Sequence, residues 1–135
     1  MRVVLDTNIL LVSIPKASPF RIIFDALLAG KFELVISNEI LSEYLEILER
    51  KTNAVIAQNV VETLIALPNV QKQEVYFKWD LINADKDDNK FVDCAVAGNA
   101  DFIVTEDKHF NELKNVEFPK LTVLPILEFK LLFKN

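Results

Sequence analysis

Apolar residues along this chain fall into short unbroken runs and into stripes spaced three and four apart, the pattern of buried strands interleaved with amphipathic helices. Arg2-Val3-Val4-Leu5 leads into Asp6, and Phe32-Glu33-Leu34-Val35-Ile36 forms a second run. Between them Ser18-Pro19 opens a helical stripe of Phe20, Ile23, Phe24, Leu27 and Leu28 that closes at Gly30. This β-α-β unit predicts parallel strands. Ser37 or Asn38 caps a helix with Ile40, Leu41, Tyr44, Leu45 and Leu48 on one stripe, and a further helix from about Ala54 to Leu67 stops at Pro68, predicting a helical hairpin. In residues 69 to 84, the pieces Val70 and Val75 to Phe77 offer a short strand. Tyr76, Phe77 and Trp79 are assigned to the core, with an exposed stacking surface as the alternative. A compact helix runs from Asn89 through Phe91, Val92, Ala95, Val96 and Ala97 to about Gly98, followed by the strand Phe102-Ile103-Val104 and then Thr105-Glu106-Asp107. A last strand, Leu121 to Leu124, precedes a short helix started by Pro125. The alternation predicts an α/β fold, a three-layer α/β/α sandwich with a central, mostly parallel sheet, formed by residues 1–135 as a single domain.

Composition bounds the function. The 135 residues, 51% of them hydrophobic, suit one core. No stretch approaches the roughly 18 apolar residues of a membrane span, and no basic start leads into a cleavable apolar run, so a soluble, cytoplasmic protein is expected. The only cysteine, Cys94, lies in an apolar run, which excludes a disulfide framework and predicts a buried, inert thiol. A formal net charge of -5 argues against simple electrostatic adhesion to nucleic acid. That objection weakens if several carboxylates converge on a metal site, because bound divalent ions reverse the local field.

The carboxylates are distributed in a way that allows such convergence. Ligands of parallel α/β sheets bind beyond the carboxyl ends of the strands. Asp6 ends the first strand, Asp107 follows the strand through Val104, and Asp88 stands at the entrance of the helix before that strand. Glu43 lies about a turn and a half into its helix, and Asp93 about one turn into an otherwise apolar one, so all five can point toward one edge of the sheet. A carboxylate buried alone is costly unless paired or bound to metal, and for Asp93 the candidate partner is Lys90 at i-3. An oxygen-only cluster suits Mg²⁺ or Mn²⁺ and suits zinc poorly, since the chain has one Cys and one His.

Asp6-Thr7-Asn8, Glu43 in Ile40-Leu41-Ser42-Glu43-Tyr44-Leu45, the run Asp87-Asp88-Asn89-Lys90-Phe91-Val92-Asp93, and Thr105-Glu106-Asp107 together resemble the PIN-domain family. Within it the resemblance is to the toxin components of type II toxin-antitoxin systems, the VapC-like ribonucleases. It implies a magnesium-dependent endoribonuclease that hydrolyses RNA phosphodiester bonds, is blocked by a cognate antitoxin protein and forms a homodimer. The family's first acid falls on Asp6, its second on Glu43 and its last on Asp107. The third departs from the pattern, because Asn89 stands where an acid opens the helix, leaving Asp88 and Asp93 as candidates. Asn89 and Asp93 share a helix face at i,i+4, which favours Asp93. Asn8, Asn89 and Thr105 are expected to position the acids and metal-bound waters. His109 is expected as an exposed loop residue, with contact to an RNA phosphate as the lesser alternative, and Lys16, Arg21, Arg50, Lys51 and Lys108 are candidates for guiding an RNA backbone, although scattered cations are ordinarily just solvated.

Three rival readings stand against this one. A magnesium-dependent phosphatase would use Asp6 as nucleophile, but the haloacid dehalogenase pattern needs an acid two residues later, where this chain has Asn8. A response-regulator receiver domain would need an acceptor Asp on a central strand and a Lys after a later one, an order not found here. A catalytically decayed module binding RNA or protein is the non-enzymatic alternative, and retention of Asp6, Glu43, Asp93 and Asp107 argues against it.

Overall fold

In the computed structural model, which describes residues 1–134, the long apolar runs are the middle of a sheet. Strands β1 (Arg2–Leu5), β2 (Glu33–Ile36), β3 (Val70–Lys72), β4 (Phe102–Val104) and β5 (Val123–Leu124) form one sheet in the order β3-β2-β1-β4-β5. Every pairing is parallel, so the sheet is wholly rather than mostly parallel. Val3, Val4, Leu34, Val35, Ile103 and Val104 are fully buried, as expected for parallel strands covered on both faces.

Helices α1 (Thr7–Ser13), α2 (Arg21–Leu28), α3 (Asn38–Lys51), α4 (Ala54–Ala66), α5 (Asn89–Ala97) and α6 (Ile126–Leu131) complete a three-layer α/β/α sandwich. α2 ends in a Schellman motif: Gly30 at φ 74° lets its own N–H reach Leu27 O at 3.1 Å and that of Lys31 reach Ala26 O at 2.9 Å. Ser37 caps α3 by accepting the Ile40 N–H at 3.2 Å, and Asn53 caps α4 by accepting that of Ile56 at 2.9 Å. α3 and α4 pack as the predicted hairpin, while α5 lies against β1, β2 and β4. Fully buried Tyr44 donates its hydroxyl to Leu5 O at 2.6 Å, fastening α3 to the carboxyl end of β1.

Several elements differ from the sequence-based expectation. α1 begins directly after Asp6, in a stretch to which the apolar pattern assigns no element; at seven residues it is too short for its period to stand out. Val75 to Phe77 do not form a strand, and β5 is shorter than Leu121 to Leu124. Two 3₁₀ segments, Lys86–Asp88 and Lys108–Asn115, fill stretches read as loop. The core assignment of Tyr76 and Phe77 is corrected: they are 89% and 62% exposed. β3 is an edge strand ending at Lys72, and the chain beyond it leaves the sheet, so no layer covers these rings. Trp79 is half-buried, with its ring 4.7 Å from Phe77 and 5.9 Å from Phe118, while Ile82 anchors the segment in the core.

Candidate active site

The strand order reverses direction at β1: from there the chain builds outward through β2 and β3, then returns to the other side of β1 with β4 and β5. A crevice opens beyond the carboxyl ends of the strands at such a point. The Asp6 N–H donates to Val104 O at 3.0 Å, which sets Asp6 beside Thr105 at the ends of β1 and β4. The buried Thr105 hydroxyl donates to Asp6 Oδ2 at 2.7 Å and accepts the Asp107 N–H at 3.0 Å. One side chain thus fixes both the Asp6 carboxylate and the turn that carries Asp107.

Glu43 is brought to the same edge by α3. The Thr7 hydroxyl donates to its Oε2, and the Lys90 ammonium lies 2.5 Å from its Oε1. Asp88 precedes α5 at the N-cap position, yet its side chain makes no capping bond. Instead its Oδ2 lies 3.2 Å from His109 Nδ1, which is also 3.2 Å from Asp107 Oδ1. Asp6 likewise occupies the N-cap position of α1 without capping it. Neither carboxylate is taken up by a side-chain cap of its helix.

The charges interact as a group. Burial lifts Asp6 above the usual carboxylate range, helped by the negative charges of Asp107 and Glu43 and opposed by the hydrogen bonds from Thr105 and Thr7. Burial likewise pushes Asp88 up to about 6, against the His109 hydrogen bond and with help from Asp107, Asp85 and Asp6. His109 is raised first by its bond to Asp88 and then by the surrounding acids, with desolvation opposing. Asp6, Glu43, Asp88 and Asp107 thus form one electrostatic cluster.

Asp93 belongs elsewhere. Its Oδ1 accepts the Trp79 N–H at 2.9 Å, and burial raises its pKa while the charged groups facing it are Lys78, Glu39 and Asp80. Asn89 does share its face: the amide accepts the Ile82 N–H at 2.8 Å and donates to Ile82 O at 2.9 Å. The i,i+4 geometry read from the sequence is present, but that face holds the chain's own residues 79 to 82. The structure sets Asp93 and Asn89 against residues 79 to 82, and sets Asp88 against His109, near the charges of Asp107 and Asp6. Lys90, the candidate salt-bridge partner of Asp93, pairs with Glu43 and Asp87 instead. Asn8 is exposed, and Thr7, not singled out from the sequence, makes the contact to Glu43. Asp85 was also missed: its carboxylate, that of Asp88 and the His109 ring have ligand atoms within 4.8 Å of one another.

Two clefts of about 530 and 520 Å³ flank the first turn of α5. The larger is lined by Ser37, Gln73, Lys78, Asn89, Lys90 and Asp93, and the other by Asn38, Glu43, Arg50, Asp87 and Lys90. Of the cations considered as RNA guides, Arg21 pairs with Asp25 and Arg50 with Glu46, both at 2.9 Å, whereas Lys16, Lys51 and Lys108 are solvated.

Comparison with known proteins agrees with this fold. A chain of the VapBC2 complex from Rickettsia felis, solved bound to a promoter DNA fragment, is 20% identical with a TM-score of 0.65, covering 93% of this chain and 98% of that one. A chain of VapBC-1 from nontypeable Haemophilus influenzae is 19% identical with a TM-score of 0.61, covering 94% and 99%. The PIN domain of human SMG5 is 12% identical with a TM-score of 0.60, covering 98% and 99%. At these identities the likeness is one of fold. No curated protein sequence matches the chain. The PIN domain family matches residues 2–109, most of the length, and to that family the chain belongs.

Proposed function

We propose that this protein is a divalent-metal-dependent endoribonuclease and the toxin of a toxin-antitoxin pair, with Asp6, Glu43, Asp88 and Asp107 as the metal-binding acids. The observation that carries this reading is the linkage of those carboxylates, drawn from four separate segments: Thr105 joins Asp6 to the Asp107 turn, His109 stands between Asp88 and Asp107, and the Glu43 charge acts on Asp6. Membership of the PIN family and the likeness to chains of VapBC complexes support it.

The donor set fits Mg²⁺ or Mn²⁺. All four donors are hard carboxylate oxygens, and the burial and mutual repulsion that raise Asp6 and Asp88 are what a divalent cation relieves. When bound, such an ion activates water and offsets charge on the phosphate and the leaving oxygen. The chain's own part is positioning. Thr105 holds Asp6 and the Asp107 turn, and Thr7 holds Glu43, so these carboxylates are fixed in direction by their hydrogen bonds. His109, between Asp88 and Asp107, is placed at the rim to meet a phosphate.

The partners follow from the same reading: RNA as substrate, a cognate antitoxin protein, and a second copy in a homodimer, in a cytoplasmic setting. Among the described residues no helix is long and apolar enough to cross a membrane. The test is cleavage of a defined RNA by the purified protein with magnesium, with chelator, and with Asp6→Asn. Magnesium-dependent cleavage lost in the variant supports the reading. Absence of carboxylate-dependent magnesium binding, with no cleavage, favours the decayed module, and a phosphorylated Asp6 would favour the phosphatase.

A further inference from the structure

Lys90 is the only lysine of this chain held between two carboxylates beside the acid cluster among the described residues. Its ammonium lies 2.5 Å from Glu43 Oε1 and 2.9 Å from Asp87 Oδ2, and its side chain is only 10% exposed, against 67% for Lys86 four residues earlier. Asp87, at i-3 on the helix entrance, is 74% exposed and steers the lysine from outside. Glu43 is therefore gripped at both oxygens by different elements: Thr7 of α1 on Oε2 and Lys90 of α5 on Oε1.

Ordering a lysine tail costs rotamer entropy that a simple exposed ion pair barely offsets. A shielded ammonium on a cluster of like charges is different, because it neutralises repulsion that would turn the carboxylate outward. It also occupies an oxygen that a dication would use. We propose that Lys90 is a positioning residue for Glu43, and that its charge sets the divalent-metal affinity of the site by competing for Oε1. This rests on the metal-dependent reading above.

Two opposing effects follow when Lys90 is replaced. In Lys90→Met the stem keeps its packing but the competitor is gone, so divalent metal binds more tightly. Glu43 also loses one of its two anchors, so turnover slows. The experiment is calorimetric titration of the wild type, Lys90→Met and Lys90→Arg with Mn²⁺, together with single-turnover RNA cleavage at saturating metal. Lys90→Met is expected to bind Mn²⁺ at least about threefold more tightly and to cleave at least about tenfold more slowly, with half-saturating RNA changed less than about threefold. Lys90→Arg, which keeps the charge, returns the affinity to within about twofold of wild type. A purely structural lysine would weaken both properties or neither. Should Lys90→Met fail to fold, Lys90→Gln carries the same two readouts. Unchanged affinity and rate in the neutral variant overturn the inference while the wild type still binds and cleaves; a wild type that binds no metal overturns both readings together.

Discussion

The Asp93 carboxylate accepts the backbone N–H of Trp79 at 2.9 Å and so clips the segment after β3 onto the outside of α5. Asp88, five residues earlier, faces His109 and the charges of Asp107 and Asp6. Asp88→Asn is therefore expected to slow single-turnover RNA cleavage at saturating magnesium by at least about a hundredfold, the scale of losing a metal-orienting group. Asp93→Asn keeps an acceptor for Trp79 and is expected to stay within about tenfold of wild type. The opposite order would return Asp93 to the site.

Asp6→Asn separates stability from metal binding. Burial and the neighbouring charges of Asp107 and Glu43 disfavour the ionised Asp6, while an amide oxygen still accepts the Thr105 hydroxyl. The metal-free variant should melt at or above the wild-type temperature. Added magnesium should raise the wild-type melting temperature through mass action and leave the variant nearly unmoved. Thermal denaturation with and without magnesium measures both, and equal metal stabilisation would place the ions elsewhere.

Thr105→Val removes one hydroxyl with two partners. The Asp107 N–H loses its acceptor and Asp6 Oδ2 its donor, at an expected cost of about 1–3 kcal/mol in denaturant unfolding. Thr105→Ser restores the hydroxyl and should recover most of the stability and the cleavage rate. A valine variant as stable and active as wild type would mean that the hydroxyl positions nothing.

Cys94 is fully buried, and burial pushes its thiol up to about 12 against the Ser37 hydrogen bond and the Arg2 charge. At pH 8 the folded protein should react with a thiol-labelling reagent at least about a hundredfold more slowly than the urea-unfolded chain. Because the raised pKa favours the neutral folded form, this contribution to stability is full below pH 9 and lost as pH rises toward 12. Rapid native labelling at pH 8 would contradict the burial.

The strands were legible because Val3 to Leu5, Leu34 to Ile36 and Phe102 to Val104 are continuous apolar runs, and the α3–α4 hairpin because Ser37 and Pro68 punctuate it. α1 was not, since seven residues cover barely two turns. The phase of α5 was readable, but phase says only which residues share a face. That Asn89 and Asp93 look at Trp79 and Ile82, while Asp88 looks at His109, depends on a loop with no period of its own. Thr7 and Asp85 carried no local pattern; only the approach of α3 and of the Lys108–Asn115 segment gives them partners.

The bond from Thr105 to Asp6 joins residues 99 positions apart, and Glu43 and Asp88 enter from two intervening helical segments. Such separations make the acid cluster a product of the last stages of chain collapse, because loop closure must precede every contact within it. Any fragment that stops short of Asp107 lacks one of the acids proposed to bind metal. On the proposed nuclease reading this has a bearing on synthesis: the growing polypeptide passes its messenger and ribosome with its chemistry unassembled. Competence to cut arrives together with the finished sheet.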